Sequence, residues 1–168
     1  MKNIVLVGFM GTGKTAVAKA LASELKMQYV SVDALIEKKE GKSIKDIFSG
    51  SGEDYFRALE KEIVKEVSAG ENQVLDLGGG VVLDADNMEN LKRAGTVICL
   101  WATPEAIHQR TKDHGHRPLL NVEDPLGRIA ELLEARKPFY RKAKIHIDTT
   151  DKNIPAVIEE MKKRIEND

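Results

Sequence analysis

A glycine-rich stretch lies close to the start of the chain, where residues 8–15 read GFMGTGKT. It matches the pattern G-x-x-x-x-G-K-[S/T] and stands between an apolar run typical of a strand and a segment typical of a helix. Glycines let the backbone curl so that consecutive N–H groups and the positive end of the helix face phosphate oxygens. We expect Lys14 to reach the β- and γ-phosphates of a nucleoside triphosphate and the Thr15 hydroxyl to bind the bridging Mg²⁺. The predicted nucleotide contacts are Gly11, Thr12, Gly13, Lys14, Thr15 and Ala16.

The group that accepts the phosphoryl must be held elsewhere, and ligands of open α/β sheets bind beyond the carboxyl ends of the strands. Asp33 follows the apolar run QYVSV. It suits either of two roles, a carboxylate that binds or deprotonates a substrate hydroxyl, or the N-cap of the helix that starts there. Residues 78–80 are three glycines after the run QVLDL. They either let a substrate approach backbone N–H groups or form a plain turn.

Three arginines could bind an anionic substrate: Arg57 in an amphipathic segment, Arg117 in a polar stretch and Arg136 in the sequence ARKPFY. The planar guanidinium group pairs bidentately with a carboxylate or a phosphate, which lysine does not imitate. The alternative for each arginine is a solvated surface charge, which is the commoner situation. Spacing along the chain does not by itself bring the three together.

Short apolar runs that alternate with helical patterns must position these groups. The runs are NIVLV, QYVSV, QVLDL, TVICLW and AKIHID, which begin at residues 3, 28, 73, 96 and 143. This alternation predicts an α/β fold with a parallel sheet covered by helices. The clearest helix is predicted over residues 51–68, beginning with a capping box at Ser51, and prolines 104, 125 and 155 mark other helix starts. Residues 112–124 are polar and aperiodic and are predicted to form a lid loop.

The composition excludes several classes of function. With 168 residues, the chain is expected to form one domain, residues 1–168. It has 26 Lys and Arg against 27 Asp and Glu, so no overall positive field attracts nucleic acid or an anionic membrane. No apolar stretch approaches the roughly 20 residues that span a bilayer, and the single cysteine, Cys99, lies in an apolar run. We therefore expect a soluble cytoplasmic protein.

The chain resembles the shikimate kinases over essentially its whole length. The matching segments, in order, are GFMGTGKT, VDALIE with Asp33, GEDYFRALE with Arg57, LGGGVV, HRPLL with Arg117 and ARKPFYRKA with Arg136. Many families share the first segment, but the combination is specific. The resemblance implies a nucleoside monophosphate kinase-like fold with a five-stranded parallel sheet flanked by helices, a substrate-binding region and a lid loop. It also implies that ATP and Mg²⁺ serve to phosphorylate shikimate at the 3-hydroxyl, on the route to chorismate and the aromatic amino acids.

The resemblance assigns roles to individual residues of the acceptor site. Arg57 and Arg136 would bind the carboxylate of shikimate, and Asp33 and the backbone of Gly79 and Gly80 would hold its ring hydroxyls. A small anionic polyol needs a cationic group at one end and polar hydrogen-bonding groups at the other, so this assignment agrees with the residue types. Asp33 is also the candidate general base.

The resemblance further implies a catalytic lid and an adenine site. Arg117 would move in with the lid and neutralise charge on the transferred phosphoryl group, while closure excludes water. Arg110 would lie against the adenine, and the loop around Asn153 and Pro155 would contact the adenine as well. Members of the family are usually monomeric, and we expect a monomer here.

One position departs from the family pattern. The family commonly has a second aspartate two residues before the substrate-binding one, where it helps to hold the water ligands of magnesium, and this chain has Ser31 there. Asp76, near the end of the run QVLDL, resembles the acidic residue that ends the Walker B strand of other P-loop enzymes. It either takes over part of the magnesium shell or only solvates the end of a strand.

Two other functions stay open beside a shikimate kinase. A related small-molecule kinase, for gluconate or a nucleoside monophosphate, would share the P-loop and lid but not the pair of arginines beside Asp33. A regulator that binds nucleotide without catalysis is favoured only by Ser31. The four histidines, His108, His114, His116 and His146, lack the spacing of metal ligands.

Overall fold

A computed structural model describes residues 2–112, 120 and 122–168. Within these ranges, five parallel strands form one sheet in the order β2-β3-β1-β4-β5. The strands are β1 (Asn3–Gly8), β2 (Gln28–Ser31), β3 (Gln73–Asp76), β4 (Gly95–Trp101) and β5 (Ile145–Asp148). Each predicted apolar run forms one of these strands, so the predicted parallel α/β fold is confirmed.

Helices connect the strands and cover both faces of the sheet. They are α1 (Lys14–Leu25), α2 (Val32–Glu40), α3 (Ile44–Ser68), α4 (Ala85–Ala94), α5 (Pro104–Thr111), α6 (Pro125–Tyr140) and α7 (Ile154–Glu166). The helix starts predicted from proline are confirmed, because Pro104, Pro125 and Pro155 lie in the first turn of α5, α6 and α7. No helix in the described ranges is long and apolar enough to cross a membrane.

The sheet separates two hydrophobic cores because successive side chains of a strand point to opposite faces. On β1, Ile4 and Leu6 pack with α1 and α7, whereas Val5 and Val7 pack with α3, α4, α5 and α6. Cys99 is fully buried in the second core, and burial raises the pKa of its thiol to about 12. The thiol is therefore a core side chain and not a nucleophile at neutral pH.

The segment α3 consists of two helices that meet at a kink at Gly52, so the predicted helix over residues 51–68 is confirmed as the second of them, whereas the first was not predicted. The first helix begins at Ile44, after Ser43, whose side chain accepts a hydrogen bond from the Asp46 N–H at 3.1 Å. Ser51 lies inside the helical segment, directly before a kink at Gly52, where φ is 85°. Glycine adopts that conformation without the cost that a side chain brings. The predicted apolar face is confirmed, since Phe56, Leu59, Ile63 and Val67 are all buried.

The strand order brings the carboxyl ends of β1, β2 and β3 side by side. Ser31 at the end of β2 is the register partner of Asp76 at the end of β3, and β3 in turn pairs with β1. The glycine-rich loop follows β1 and leads into α1. The predicted lid falls mostly on residues 113–119 and 121, which lie outside the described residues, as do Arg117, His114 and His116.

Candidate active site

The loop between β1 and α1 has the backbone of a phosphate-binding loop. Gly11 and Gly13 have φ values of 76° and 95°, and Gly13 is the N-cap of α1. Only glycine adopts such angles readily, so the pattern of glycines has a conformational cause. The Lys14 side chain is buried under the loop, and its Nζ donates to the carbonyl oxygens of Gly8 and Phe9 at 2.8 Å each. The ammonium charge is therefore held beside the N-terminus of α1.

One cleft of about 840 Å³ opens beside this loop at the carboxyl edge of the sheet. It brings together most of the residues singled out in the sequence. Of these it is lined by Gly11, Gly13, Lys14, Thr15, Ala16, Asp33, Arg57, Asp76, Gly79, Gly80, Arg110 and Arg136. Phosphate-binding and anion-binding groups thus share a single cavity, which is the arrangement that transfer between two bound substrates requires.

Asp33 is not the N-cap of α2. That position belongs to Ser31, whose Oγ accepts a hydrogen bond from the Ala34 N–H at 3.1 Å. Asp33 lies in the first turn, lines the cleft, and has a buried Oδ1 that accepts no hydrogen bond from the described residues. Burial and then the charge of Asp76 raise the pKa of the Asp33 carboxyl, while Lys14 opposes this shift. A carboxylate with a raised pKa is a stronger base than an ordinary aspartate.

Arg57 lies against the glycine turn and is held by a buried carboxylate. Its Nη1 is 2.8 Å from Oε1 of Glu60, a side chain that is 1% exposed. A Cβ on Gly80 would lie only 2.3 Å from Arg57 Nη2. The guanidinium therefore packs directly on the backbone of the turn, and the glycine is needed for that close approach.

Arg136, from α6, reaches the neighbouring glycine. It is 6% exposed, and its Nη1 lies 3.3 Å from the position that a Cβ on Gly79 would take. Its guanidinium carbon is 5.6 Å from the centre of the Phe9 ring, within the range of a cation–π contact. The Tyr140 hydroxyl, one turn further along α6, donates to the carbonyl oxygen of Gly79 at 2.6 Å. The two arginines thus lie at consecutive glycines, although 79 residues separate them in the chain.

Glu60 completes the charged surroundings of the turn and was not singled out in the sequence. A Cβ on Gly78 would lie 3.1 Å from Asp33 Oδ1 and 3.2 Å from Glu60 Oε2, so both carboxylates flank this glycine. Burial raises the pKa of Glu60, and Arg57 opposes the shift. The spacing of three residues between Arg57 and Glu60 on a helix was a signal for this contact.

Asp76 contacts the predicted magnesium ligand directly. Its Oδ2 accepts hydrogen bonds from the Thr15 hydroxyl at 2.7 Å and from the Tyr29 hydroxyl at 2.9 Å. Asp76 is 6% exposed, so the alternative of a solvated strand end does not describe it. Hydroxyl and carboxylate oxygens are the donors that Mg²⁺ prefers, and their position at the P-loop fits this ion. Among the described residues, no group of three or more His, Cys, Asp or Glu side chains forms a separate metal site.

Arg110 ties the P-loop to the loop after β5. It donates to the carbonyl oxygen of Gly11 at 3.1 Å, to the hydroxyl and carbonyl oxygens of Thr149 at 3.1 and 2.7 Å, and to the Thr150 carbonyl oxygen at 3.2 Å. The Thr149 hydroxyl in turn donates to the Thr12 carbonyl oxygen at 2.8 Å. These bonds fix the edge of the cleft next to the phosphate-binding loop.

Three predicted nucleotide contacts do not line the cleft as the described residues define it: Thr12, Asn153 and Pro155. The Thr12 hydroxyl donates to the Phe9 carbonyl oxygen at 2.7 Å and shapes the loop from within. The Asn153 side chain caps α7 by accepting from the Ala156 N–H at 2.9 Å. Their roles toward a nucleotide stay predictions.

Neither of the two described histidines lines the cleft. His146 Nδ1 accepts a hydrogen bond from the Trp101 ring N–H at 2.9 Å, and its ring lies 5.8 Å from that of Trp101. His108 is on α5, and its Nδ1 is buried without a hydrogen bond from the described residues.

Comparison with known proteins identifies the family. The family model for shikimate kinase matches residues 10–166. The shikimate kinase of Caldanaerobacter subterraneus subsp. tengcongensis is 50% identical over 161 residues, which cover 96% of this chain and 94% of that protein. The shikimate kinase of Thermodesulfovibrio yellowstonii is 48% identical over 166 residues, which cover 99% and 96%.

A solved structure extends the agreement to three dimensions. The shikimate kinase from Acinetobacter baumannii in complex with shikimate superposes with a TM-score of 0.96 at 37% identity, covering 99% of this chain and 94% of that one. The chain belongs to the shikimate kinase family, whose members phosphorylate shikimate with ATP and Mg²⁺ in the biosynthesis of aromatic compounds.

Proposed function

We propose that the cleft binds ATP at the P-loop and shikimate at the pair of arginines, and transfers the γ-phosphoryl group to the 3-hydroxyl of shikimate. The observation that carries the proposal is that one cavity is lined both by Lys14 and Thr15 and by Asp33, Arg57 and Arg136. The first set suits a triphosphate, and the second suits a small carboxylate with hydroxyl groups.

At the acceptor end, Arg57 and Arg136 bind the carboxylate of shikimate. Glu60 fixes the direction of Arg57, and the packing of α6 fixes Arg136, so little side-chain entropy is lost when the substrate binds. Gly79 and Gly80 offer backbone groups to the ring hydroxyls, since neither residue has a side chain of its own.

Asp33 serves as the general base at the reacting hydroxyl. Its buried Oδ1 has no hydrogen-bond donor among the described residues, so a substrate hydroxyl would satisfy an acceptor that is otherwise unpaired. The raised pKa increases its basicity, and the charge of Lys14 opposes that rise.

At the donor end, Lys14 and the backbone of residues Gly11, Thr12, Gly13, Thr15 and Ala16 hold the phosphates. Thr15 and Asp76 would hold Mg²⁺, which neutralises charge that builds up on the transferred group. Asp76 takes over the contact with magnesium that an aspartate at position 31 would make, since Ser31 and Asp76 are register partners on adjacent strands. Arg117, in the proposed lid over residues 112–124, adds positive charge to the transferred phosphoryl, and Arg110, Asn153 and Pro155 border the adenine.

The same proposal includes the setting of the reaction. We infer one domain over residues 1–168, acting as a monomer in the cytoplasm on a small-molecule substrate without nucleic acid or membrane as a partner. The formal net charge of −1 supports this, because neither a polyanion nor an anionic surface is attracted by the chain as a whole.

ADP release measured with purified protein, ATP and Mg²⁺ tests the proposal. Release should depend on shikimate and stay at background with gluconate, AMP or no acceptor. ADP release with a different acceptor would assign the site to a related small-molecule kinase. Binding of ATP without formation of ADP, whatever the acceptor, would assign it to a regulator.

A matched pair of arginine variants tests the carboxylate site. Arg128 is on the same helix as Arg136 but pairs with Glu131 at the surface. Arg136→Lys should raise KM for shikimate about 10-fold or more, because lysine replaces a bidentate fork by a point charge. Arg128→Lys should leave KM unchanged, and an equal effect of the two variants would contradict the assignment.

A further inference from the structure

We propose that the Tyr29 hydroxyl positions the Asp76 carboxylate for its work in the magnesium shell, an inference that rests on the role of Asp76 proposed above. Tyr29 is on β2, two residues before Ser31, and lines the same cleft as Thr15 and Asp76. It belongs to none of the residues that the motifs of the sequence single out.

The geometry consists of two hydroxyl donors on one carboxylate oxygen. Thr15 Oγ1 lies 2.7 Å and Tyr29 Oη 2.9 Å from Oδ2 of Asp76. The donors come from different elements, the start of α1 and strand β2, while Asp76 ends β3. Two donors from different elements on one oxygen restrict the rotation of the carboxylate more than a single donor would.

This arrangement prepares the Thr15 hydroxyl for a cation. Because its hydrogen points to Asp76, the lone pairs of Thr15 Oγ1 are directed elsewhere and can face a metal ion. An ionised carboxylate has about four lone-pair sites, and the two hydroxyls use two of them. The remaining sites of Asp76 can accept hydrogen bonds from water bound to the ion.

Tyr29 itself is held in place. The Nζ atom of Lys19, on α1, lies 5.6 Å from the centre of the Tyr29 ring, within the range of a cation–π contact. The ring therefore bridges α1 and the edge strand β2, and its hydroxyl reaches inward to Asp76. Outer-shell partners of this kind orient the groups that bind a metal and tune its affinity.

Calorimetric titration with ADP, with Mg²⁺ and with EDTA, tests the proposal without turnover. The quantity of interest is the metal coupling, the Kd for ADP in EDTA divided by the Kd in Mg²⁺. Tyr29→Phe removes only the hydroxyl and should lower the coupling about 10-fold, the size typical of a lost outer-shell contact. Tyr55→Phe is the control, because Tyr55 is exposed and donates to Glu40 outside the cleft.

A double variant separates positioning from a merely structural effect. If Tyr29 acts through Asp76, Tyr29→Phe should change the coupling little in an Asp76→Asn background. A full effect in that background, or an equal loss of ADP affinity with and without Mg²⁺, overturns the proposal. If Tyr29→Phe keeps the wild-type coupling while Asp76→Asn loses it, the role of Tyr29 alone is overturned. If Asp76→Asn keeps the wild-type coupling, the role of Asp76, on which the inference rests, is refuted.

Discussion

Replacing Gly80 by alanine should weaken shikimate binding while the fold persists. Gly80 has φ −97° and ψ 0°, angles that an alanine also adopts. A Cβ at this position would lie 2.3 Å from Nη2 and 2.5 Å from Cζ of Arg57. Because these atoms end a flexible side chain, the guanidinium moves and the backbone does not. The substitution therefore acts on one of the two arginines proposed to bind the substrate carboxylate.

The size of the effect follows from these distances. Ordinary contact begins near 3.4 Å, so Nη2 must retreat by about 1.1 Å, the difference between 3.4 and 2.3 Å. A shift of that size suffices to break the 2.8 Å bond between Arg57 and Glu60, since hydrogen bonds rarely exceed about 3.2 Å. The same shift moves the guanidinium away from the position proposed for the substrate carboxylate, and a lost hydrogen bond to a charged group costs about 1.5–3 kcal/mol. At 1.4 kcal/mol per tenfold change, kcat/KM for shikimate should fall about 10- to 150-fold.

Steady-state ADP release at varied shikimate and varied ATP measures this loss. The loss in kcat/KM should appear as a higher KM for shikimate, while KM for ATP and the affinity for ADP stay close to those of the wild type. Gly50→Ala is the control, because Gly50 lies in α3 before the kink and a Cβ there meets no atom within 4 Å. Wild-type KM for shikimate in Gly80→Ala, or an equal loss toward both substrates, would refute the reasoning.

Three further predictions concern charge and anchoring. In a plot of kcat/KM for shikimate against pH, the raised pKa of Asp33 should place the acidic limb above the usual aspartate range near 3.9. A limb at about 3.9 would contradict the role of Asp33 as base. Because the pKa values of Asp33 and Glu60 are raised, the folded chain keeps protons that the unfolded chain releases. The free energy of unfolding should therefore fall as pH rises from about 4 through the folded pKa values. Urea unfolding at a series of pH values should show a smaller fall for Glu60→Gln than for the wild type. Arg110→Gln removes bonds to Gly11 and Thr149 and should raise KM for ATP about 10-fold with little change in KM for shikimate, as measured by the same ADP assay.

The sequence predicted the sheet and the phosphate-binding loop because both have local causes. Apolar runs at regular spacing predict buried strands, and the glycines of residues 8–15 occupy backbone angles that other residues avoid. The capping pattern at Ser51 predicted the helix after the kink at Gly52 but not the helix from Ile44 that precedes it. Local rules do not distinguish a helix start from a kink at a glycine such as Gly52.

The acceptor site could be assembled only partly from the sequence, since its contacts join residues far apart in the chain. The residue types of Arg57 and Arg136 suggested an anion site, but only the fold brings them to adjacent glycines. Tyr29 carried no motif, and its contact with Asp76 depends on the register between β2 and β3. Cross-strand and helix-to-turn contacts of this kind follow from tertiary packing, which local periodicity does not encode.

The three consecutive glycines explain how one short turn serves charges of both signs. Two carboxylates, Asp33 and Glu60, flank Gly78, and burial is the main cause of the raised pKa of each. Arg136 and Arg57 flank Gly79 and Gly80, within 3.3 and 2.3 Å of the positions that Cβ atoms would take. A side chain at any of these positions would displace a charged group, so the absence of side chains is what lets four charged side chains meet at one backbone segment. The turn consequently separates the proposed base from the arginines proposed to bind the carboxylate by one or two residues. Substitutions at Gly78 should therefore change the basicity of Asp33, and substitutions at Gly79 and Gly80 should lower the affinity for substrate.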